Sequence, residues 1–138
     1  MKSYVLAAAA ACALLAACAP QQPAPLTGAA LIERGDYLVN GVVLCGDCHT
    51  PRGEGGALDE TRKLQGADIG PGPPGFASIA PSLAGLPAGY TEEQFIAFLQ
   101  TGVRPDGTNT RPPMPPYRLN EEDARAVAAY IATLPQAQ

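Results

Sequence analysis

The chain has 138 residues, a length that suits one domain. Hydrophobic residues make up 46% of it and charged residues 16%, which is typical of a folded globular domain and not of a disordered segment. Its formal net charge of −4 argues against nucleic acid as a partner and favours docking to surfaces with basic patches.

The first 17 residues have the pattern of a bacterial export signal. Residues 1–3 are a short positive region, and residues 5–17 form a continuous apolar stretch. This stretch is shorter than the roughly 20 residues that a membrane-spanning helix needs, but it suits a secretory signal. It ends in Leu-Ala-Ala-Cys18, which resembles the lipobox of bacterial lipoproteins, where the cysteine receives lipid. Cleavage after a small-x-small site is the alternative, but it would place Pro20 just after the cut.

Residues 18–27 are predicted to be a lipidated cysteine followed by a tether. Residues 19–27 are uncharged and rich in proline, so we expect them to be extended and semi-stiff. Several acyl chains on Cys18 would anchor the protein stably, whereas a single chain binds only marginally. The expected location is therefore the periplasmic side of a bacterial membrane, inner or outer. Cys12 leaves with the signal, so Cys45 and Cys48 are the only thiols left for other chemistry.

A first helix of the domain is predicted over residues 29–40. Leu31, Tyr37 and Leu38 can share one face of such a helix. Gly35 lies between them and permits the close approach of another helix. We expect Gly41 to end this helix.

Cys45, Cys48 and His49 form a C-x-x-C-H motif, the pattern of covalent c-type haem attachment. The two thiols add across the vinyl groups of a haem, and the adjacent imidazole becomes the proximal iron ligand. A thioredoxin-like site would need a βαβ framework, and zinc or an iron–sulfur cluster would need about four ligands. A disulfide between the two thiols would close a loop too short to gain much stability.

Gly and Pro each occur 15 times, and half of these residues lie between positions 51 and 89. Such a segment cannot form long helices or strands. A long irregular segment is unusual in a compact domain unless it is functional. We therefore expect it to wrap the haem, whose faces replace the missing side-chain core. A short helix or turn is predicted near residues 59–63.

Two later helices have clear start signals. Thr91 and Gln94 form a capping box before a run of apolar residues at helical spacing, and Gly102 is expected to stop that helix. The last helix is predicted to begin after Asn120 as its N-cap, with three acidic residues at the positive end of its dipole. Pro135 is expected to end it.

Met114 is the predicted second axial ligand. His49 is the only histidine, and with Met1 removed Met114 is the only thioether. Two prolines precede Met114 and two follow it, which fixes backbone φ and removes amide donors, so the loop can present one sulfur at low entropic cost. The alternatives are a core-filling methionine, ligation by Lys63, or an open, water-filled site. His/Met coordination would raise the reduction potential above that of nitrogen-only ligation and close the iron to oxygen and peroxide.

This order of features resembles a class I cytochrome c: helix, CxxCH, Gly/Pro-rich loop, helix, Met-containing loop, C-terminal helix. More narrowly, residues 33–39, 45–52 and 102–115 resemble haem domains attached to bacterial alcohol, aldehyde and related dehydrogenases. The resemblance implies an all-α cytochrome c fold over residues 28–138, with three to five helices and long Gly/Pro-rich loops around one covalent haem. It also implies that the first and last helices cross at Gly35 or Tyr37, against Tyr130.

The family resemblance further implies the function. Such domains often occur two or three per chain, but this chain has one CxxCH, so we expect a mono-haem version. It would not be an enzyme itself but would relay single electrons between a periplasmic dehydrogenase or quinol-oxidising complex and a terminal acceptor. Its expected partners are a dehydrogenase, an oxidase or another cytochrome, met either as a free carrier or as an obligate subunit. A haem enzyme or gas-binding protein with an open sixth site is the alternative.

Four further residues are candidates near the haem. Arg52, Arg104 and Arg111 can neutralise the haem propionates, since a partly buried carboxylate needs a cation or donors; solvated surface arginines are the alternative. Tyr117 either donates a hydrogen bond near the haem or packs, and packing is favoured. The family often has Asn where this chain has Ser82 after Ala-Pro.

Overall fold

The computed structural model describes residues 24–136, so the predicted signal peptide, Cys18 and most of the predicted tether lie outside the described residues. The described chain is mostly helical. It contains four α-helices: α1 (Gly28–Tyr37), α2 (Gly46–His49), α3 (Glu92–Thr101) and α4 (Glu121–Ala132). A two-stranded antiparallel sheet, β1 (Ala67–Asp68) with β2 (Ile79–Ala80), lies in the long irregular segment. The predicted helical fold is confirmed, with this small sheet as an addition.

The first helix differs from its prediction at its C-terminal end. Gly41 does not end the helical segment, because α1 continues directly into a π-helical turn over Leu38–Val42. The wider turn is closed by a hydrogen bond that the Val43 amide donates to the Leu38 carbonyl at 2.7 Å. Leu38, the first residue of this turn, is buried in the core, and Cys45 follows three residues after the turn ends.

Helices α1 and α4 cross in close contact at Gly35. A Cβ atom added to Gly35 would lie 2.6 Å from Cβ of Tyr130 and would also overlap the Ala126 carbonyl. The backbones can approach this closely only because residue 35 has no side chain. Of the two predicted crossing residues, Gly35 is therefore correct and Tyr37, with 58% of its surface exposed, is not.

The start signals of α3 and α4 and the stop signal of α3 are confirmed, whereas α4 already ends at Ala132, before the predicted stop at Pro135. The Thr91 hydroxyl accepts a hydrogen bond from the Gln94 amide at 3.2 Å, while the Thr91 amide donates to the Gln94 side chain at 3.0 Å. Gly102 closes α3 with a left-handed φ of 75°. The Asn120 side chain accepts from the Asp123 amide at 2.8 Å at the start of α4.

The core lies where α1, α3 and α4 meet. Its largest buried side chains come from the π-helical turn after α1, from α3 and α4, and from two residues of the irregular segment: Leu38, Val39, Leu64, Leu83, Phe95, Phe98, Leu99, Val127 and Ile131. The irregular segment includes a 3₁₀ turn at Glu60–Arg62, within the range predicted for a short helix or turn. Among the described helices, none is both long and apolar enough to cross a membrane.

Candidate haem site

The four predicted haem-binding residues line one cavity. This cavity has a volume of about 400 Å³, in the range of small-molecule sites, and Cys45, Cys48, His49 and Met114 all contribute to its wall. The rest of the wall is mostly apolar, with core side chains of α3 and α4 that include Phe95, Phe98, Leu99, Val127 and Ile131. The fold therefore brings the thioether loop and the CxxCH motif to one shared, mostly apolar cavity.

A single helical turn presents the CxxCH motif. Helix α2 begins directly after Cys45, and the His49 amide donates to the Cys45 carbonyl at 3.0 Å. Both thiols are free, so no disulfide joins them in the structure. Burial raises the pKa of the Cys45 thiol to about 11. A dithiol redox pair needs a lowered thiol pKa, so the site lacks the electrostatics of a thioredoxin-like centre.

A hydrogen bond to a backbone carbonyl orients the His49 imidazole, so that its other ring nitrogen can bind a metal. The side chain is buried, and its Nδ1 lies 2.7 Å from the carbonyl oxygen of Pro81. Because a carbonyl can only accept, Nδ1 carries the proton, and the neutral ring keeps its lone pair on Nε2. Burial lowers the pKa of His49, which favours this neutral form. This carbonyl–imidazole pair is the arrangement that orients histidine ligands of metals.

Hydrogen bonds to the segment after His49 hold the irregular loop in place. The Gly66 amide donates to the His49 carbonyl at 2.8 Å. Next to it, the buried Thr50 hydroxyl accepts from the Leu64 amide at 3.0 Å, and the Leu64 carbonyl accepts from the Leu83 amide at 2.8 Å. This chain of contacts links the CxxCH motif to the segment that carries the Pro81 carbonyl.

Ser82, where the resembled family often has Asn, makes only long hydrogen bonds. Its hydroxyl donates to the Leu64 carbonyl at 3.4 Å and accepts from the Ala84 amide at 3.3 Å. Ser82 therefore stabilises the loop next to Pro81 without being among the residues that line the cavity.

Met114 reaches the cavity from a largely exposed loop. Its side chain is half-buried and packs against the hydrophobic core. The loop is joined to the segment after β1 by a hydrogen bond from the Ala77 amide to the Pro112 carbonyl at 2.7 Å. Lys63, the alternative ligand from the sequence, does not line the cavity.

Two of the three candidate arginines reach the cavity. Arg104 and Arg111 line it, and no Asp, Glu or Lys from the described residues does. Arg104 lies at the base of a hairpin in which its amide donates to the Thr108 carbonyl at 2.7 Å. Arg52 instead donates from Nη1 to the Gly56 carbonyl at 2.8 Å and lines a smaller neighbouring cavity. Among the described residues, the charged groups of the wall are these two guanidinium ions, which suits a ligand that is mostly apolar and carries anionic groups.

The residues present thus fit a covalently bound haem. Two thiols, a correctly protonated imidazole, a thioether, an apolar wall and two cations surround one space. Within residues 24–136, no group of three or more His, Cys, Asp or Glu side chains is arranged to hold a bare metal ion.

The sequence model of the cytochrome c family matches residues 32–135. The chain belongs to the cytochrome c family. A diheme cytochrome c-type protein of Cereibacter sphaeroides is 36% identical over 108 residues, which is 75% of this chain and 35% of that protein. The cytochrome c subunit of an alcohol dehydrogenase (quinone) of Gluconobacter oxydans is 34% identical over 116 residues, 75% of this chain and 24% of the subunit. The fructose dehydrogenase cytochrome subunit of Gluconobacter japonicus is 35% identical over 112 residues, 75% of this chain and 22% of the subunit.

Membership of the cytochrome c family confirms the predicted fold and, at the level of the family, covalent haem c and an electron-transfer role. This chain spans between 22% and 35% of the length of these three relatives. Two of the relatives are cytochrome subunits of dehydrogenases, the group that the sequence resemblance had indicated.

Sequence reasoning missed the contacts of this cytochrome c domain that depend on tertiary structure. Pro81 lies 32 positions after His49 and orients its imidazole through a backbone carbonyl. Because every residue has such a carbonyl, the residue type does not predict this contact. Tyr117 was expected to pack; it is half-buried, and its hydroxyl also donates to the Val43 carbonyl at 3.1 Å. The sequence signal that indicated a position of Tyr117 near the haem site was its spacing, three residues after Met114.

Proposed function

We propose that this chain is a mono-haem electron carrier, bound to the periplasmic side of a bacterial membrane through lipid on Cys18. In this proposal Cys45 and Cys48 hold one haem c covalently, and His49 and Met114 are its axial ligands. The observation that carries the proposal is the convergence of these two thiols, the imidazole and the thioether on one apolar cavity.

Haem c supplies a one-electron couple when bound. The protein residues set the conditions under which that couple works. Pro81 keeps the proton of His49 on Nδ1, which orients the ring. The aromatic and aliphatic side chains of α3 and α4 exclude water from the cavity, and Arg104 and Arg111 offer positive charge to anionic groups at its edge.

The cavity also has an exposed apolar rim. Leu44 and Ile79 line the cavity, yet they are 47% and 62% exposed. The cavity therefore opens to solvent beside these two side chains. An electron carrier needs such an opening, because transfer to a partner requires close approach to the redox group, whereas a catalytic haem also needs an open ligand position. Ligation by Met114 would close that position, which would favour electron transfer over catalysis.

The partner is proposed to be a dehydrogenase or another redox protein of the periplasm. Two relatives are named as cytochrome subunits of an alcohol dehydrogenase and of a fructose dehydrogenase, which supports this class of electron donor. A quinol-oxidising complex as donor, and an oxidase or a further cytochrome as acceptor, are the other members of the proposed circuit. The single CxxCH motif supports one haem for this chain.

The proposal is tested on the full chain matured with a haem-attachment system. The reduced-minus-oxidised spectrum is expected to show a c-type α-band, and haem quantification is expected to give one haem per chain. The double variant Cys45→Ala, Cys48→Ala should lose covalent haem in denaturing gels, whereas Cys12→Ala, upstream of the predicted cleavage, should retain it. A wild-type chain without a c-type α-band would contradict the proposal.

A further inference from the structure

The loop that carries Met114 has very few polar contacts with the rest of the domain. Residues 112–116 contain four prolines, which have no amide hydrogen to donate. The Met114 amide donates to Arg111 within the loop, at 3.1 Å. Among the described residues, two hydrogen bonds join residues 112–118 to other parts of the domain. Before Met114, the Pro112 carbonyl accepts from the Ala77 amide at 2.7 Å; after Met114, the Tyr117 hydroxyl donates to the Val43 carbonyl at 3.1 Å.

Val43, whose carbonyl accepts this hydrogen bond, is itself held in place by other contacts. Its amide donates to the Leu38 carbonyl at 2.7 Å, closing the π-helical turn at the end of α1, and its side chain packs against the core. Val43 also lies two residues before Cys45, separated from it by Leu44, whose φ of 56° is left-handed. The Tyr117 hydroxyl therefore connects the thioether loop to the buried end of α1 and to the start of the haem-attachment motif.

The surroundings of Tyr117 keep this hydroxyl protonated. The side chain is half-buried and lines the same cavity as Met114. Burial raises the pKa of Tyr117 above its ordinary value, and the nearby Asp47 acts in the same direction. The phenol is therefore neutral and able to donate throughout the physiological range.

We propose that Tyr117 is a positioning residue that holds the Met114 sulfur in its ligand position through the hydrogen bond to Val43. The inference rests on the proposed ligation by Met114. The prolines limit the shapes that the loop can take, and the Ala77–Pro112 hydrogen bond attaches it on the side before Met114, so the Tyr117 hydroxyl supplies the hydrogen bond on the side after Met114. Without the Tyr117 hydroxyl, the loop moves away from the cavity more readily, and an external ligand replaces the thioether more easily.

The test is displacement of the thioether by imidazole in the oxidised, haem-loaded full chain at one fixed pH. Loss of the near-infrared sulfur-to-iron band reports the displacement. A single hydrogen bond contributes about 0.5–1.5 kcal/mol, so Tyr117→Phe is expected to tighten apparent imidazole binding by roughly 2- to 12-fold. Phenylalanine keeps the ring, so the packing in the cavity wall is retained.

Tyr130→Phe is the matched control. It also removes a tyrosine hydroxyl from a hydrogen bond, which Asn40 donates at 3.2 Å, but at the crossing of α1 and α4 and outside the cavity. Imidazole affinity of this variant should equal that of the wild type. Thermal unfolding of both variants is measured alongside, because a purely structural role of Tyr117 would lower the melting temperature without changing imidazole affinity.

The outcomes separate this inference from the proposed function. Equal imidazole affinity in Tyr117→Phe and Tyr130→Phe, with the band present in both, overturns the positioning role and leaves ligation by Met114 intact. Absence of the band in the wild type overturns ligation by Met114, and the positioning role falls with it. Tighter imidazole binding in Tyr117→Phe alone supports both.

Discussion

Thr50 fixes the loop directly behind the predicted proximal ligand. Its side chain is only 2% exposed, and its hydroxyl accepts the hydrogen bond from the Leu64 amide. Leu64 is fully buried and has a left-handed φ of 59°, a strained conformation for a residue with a side chain. Such strain persists only where surrounding contacts impose it. The Thr50 hydroxyl and the two amides that donate to the Leu64 carbonyl are those contacts.

Thr50→Val is therefore expected to destabilise the domain although it preserves the shape of the side chain. The substitution leaves the buried Leu64 amide without its partner, which costs about 1–3 kcal/mol. The free energy of unfolding from a denaturant titration measures the effect. Thr133→Val, at an exposed hydroxyl beyond the end of α4, is the control and should change stability by about 0.5 kcal/mol or less. Equal stability of the two variants would refute the role assigned to Thr50.

For single residues, motifs formed by neighbours in the sequence were predictable, whereas hydrogen-bond partners distant in the sequence were not. The spacing of Cys45, Cys48 and His49 is a property of one helical turn, so the sequence alone indicates it. Met114 followed from counting the few possible ligands. The Pro81 carbonyl and the Val43 carbonyl are backbone groups placed by tertiary folding, so no residue type marks them in the sequence.

The contact between α1 and α4 is the central contact among the secondary-structure elements. Gly35 lets the two backbones meet, and beside it Arg34 Nε donates to the Asp123 carboxylate at 2.9 Å. Arg34 is 39% exposed, so this ion pair adds little stability of its own. The close packing at Gly35, which positions α4 against the cavity, is the more important contribution.

Gly35→Ala tests this crossing. Alanine favours helix by about 1 kcal/mol over glycine, but here its Cβ would overlap Ala126 and Tyr130, and overpacking costs about 1–3 kcal/mol. We expect a net loss of stability in thermal or chemical unfolding. Gly41→Ala is the matched control, because its Cβ would lie 3.5 Å from the Tyr37 ring, an ordinary contact. A Gly35→Ala variant as stable as Gly41→Ala would contradict the packing described.

The helix ends show which elements a sequence reveals. Thr91 with Gln94, Gly102 and Asn120 act on neighbouring backbone groups, so their patterns predicted both ends of α3 and the start of α4 correctly. The π-helical turn after α1 depends on how Leu38 fits the core, and Gly41 alone gave the wrong end. The β1–β2 pair joins residues 11 and 13 positions apart in a glycine-rich segment, where no alternating pattern marks two-residue strands.

At the scale of the whole molecule, one hydrogen bond shows where the predicted tether joins the domain. The Leu26 amide donates to the Glu122 side chain at 3.0 Å, so the chain joins the domain beside the first turn of α4. If Cys18 carries lipid, only the few residues between Cys18 and Leu26 separate the membrane surface from this end of the domain. If this linker is as stiff as its prolines predict, it would extend about 3 Å per residue and would keep the domain close to the membrane surface.

Cys18→Ala is expected to release the haem-loaded protein into the soluble periplasmic fraction. The reason is that stable anchoring depends on acyl chains at this cysteine. Cell fractionation followed by haem staining measures the distribution. Cys12→Ala, which lies before the predicted cleavage point, should stay with the membranes. A Cys18→Ala protein that still sediments with membranes in high salt would rule out the proposed anchor.

The central claim is that His49 and Met114 occupy both axial positions, so that the domain transfers electrons without binding substrates at the metal. The most direct measurement is the near-infrared absorption spectrum of the oxidised wild-type protein beside that of Met114→Ala. If Met114 is a ligand, the wild type shows a sulfur-to-iron band and Met114→Ala loses it completely. A wild type without the band, or a Met114→Ala variant that retains it, would contradict ligation by Met114.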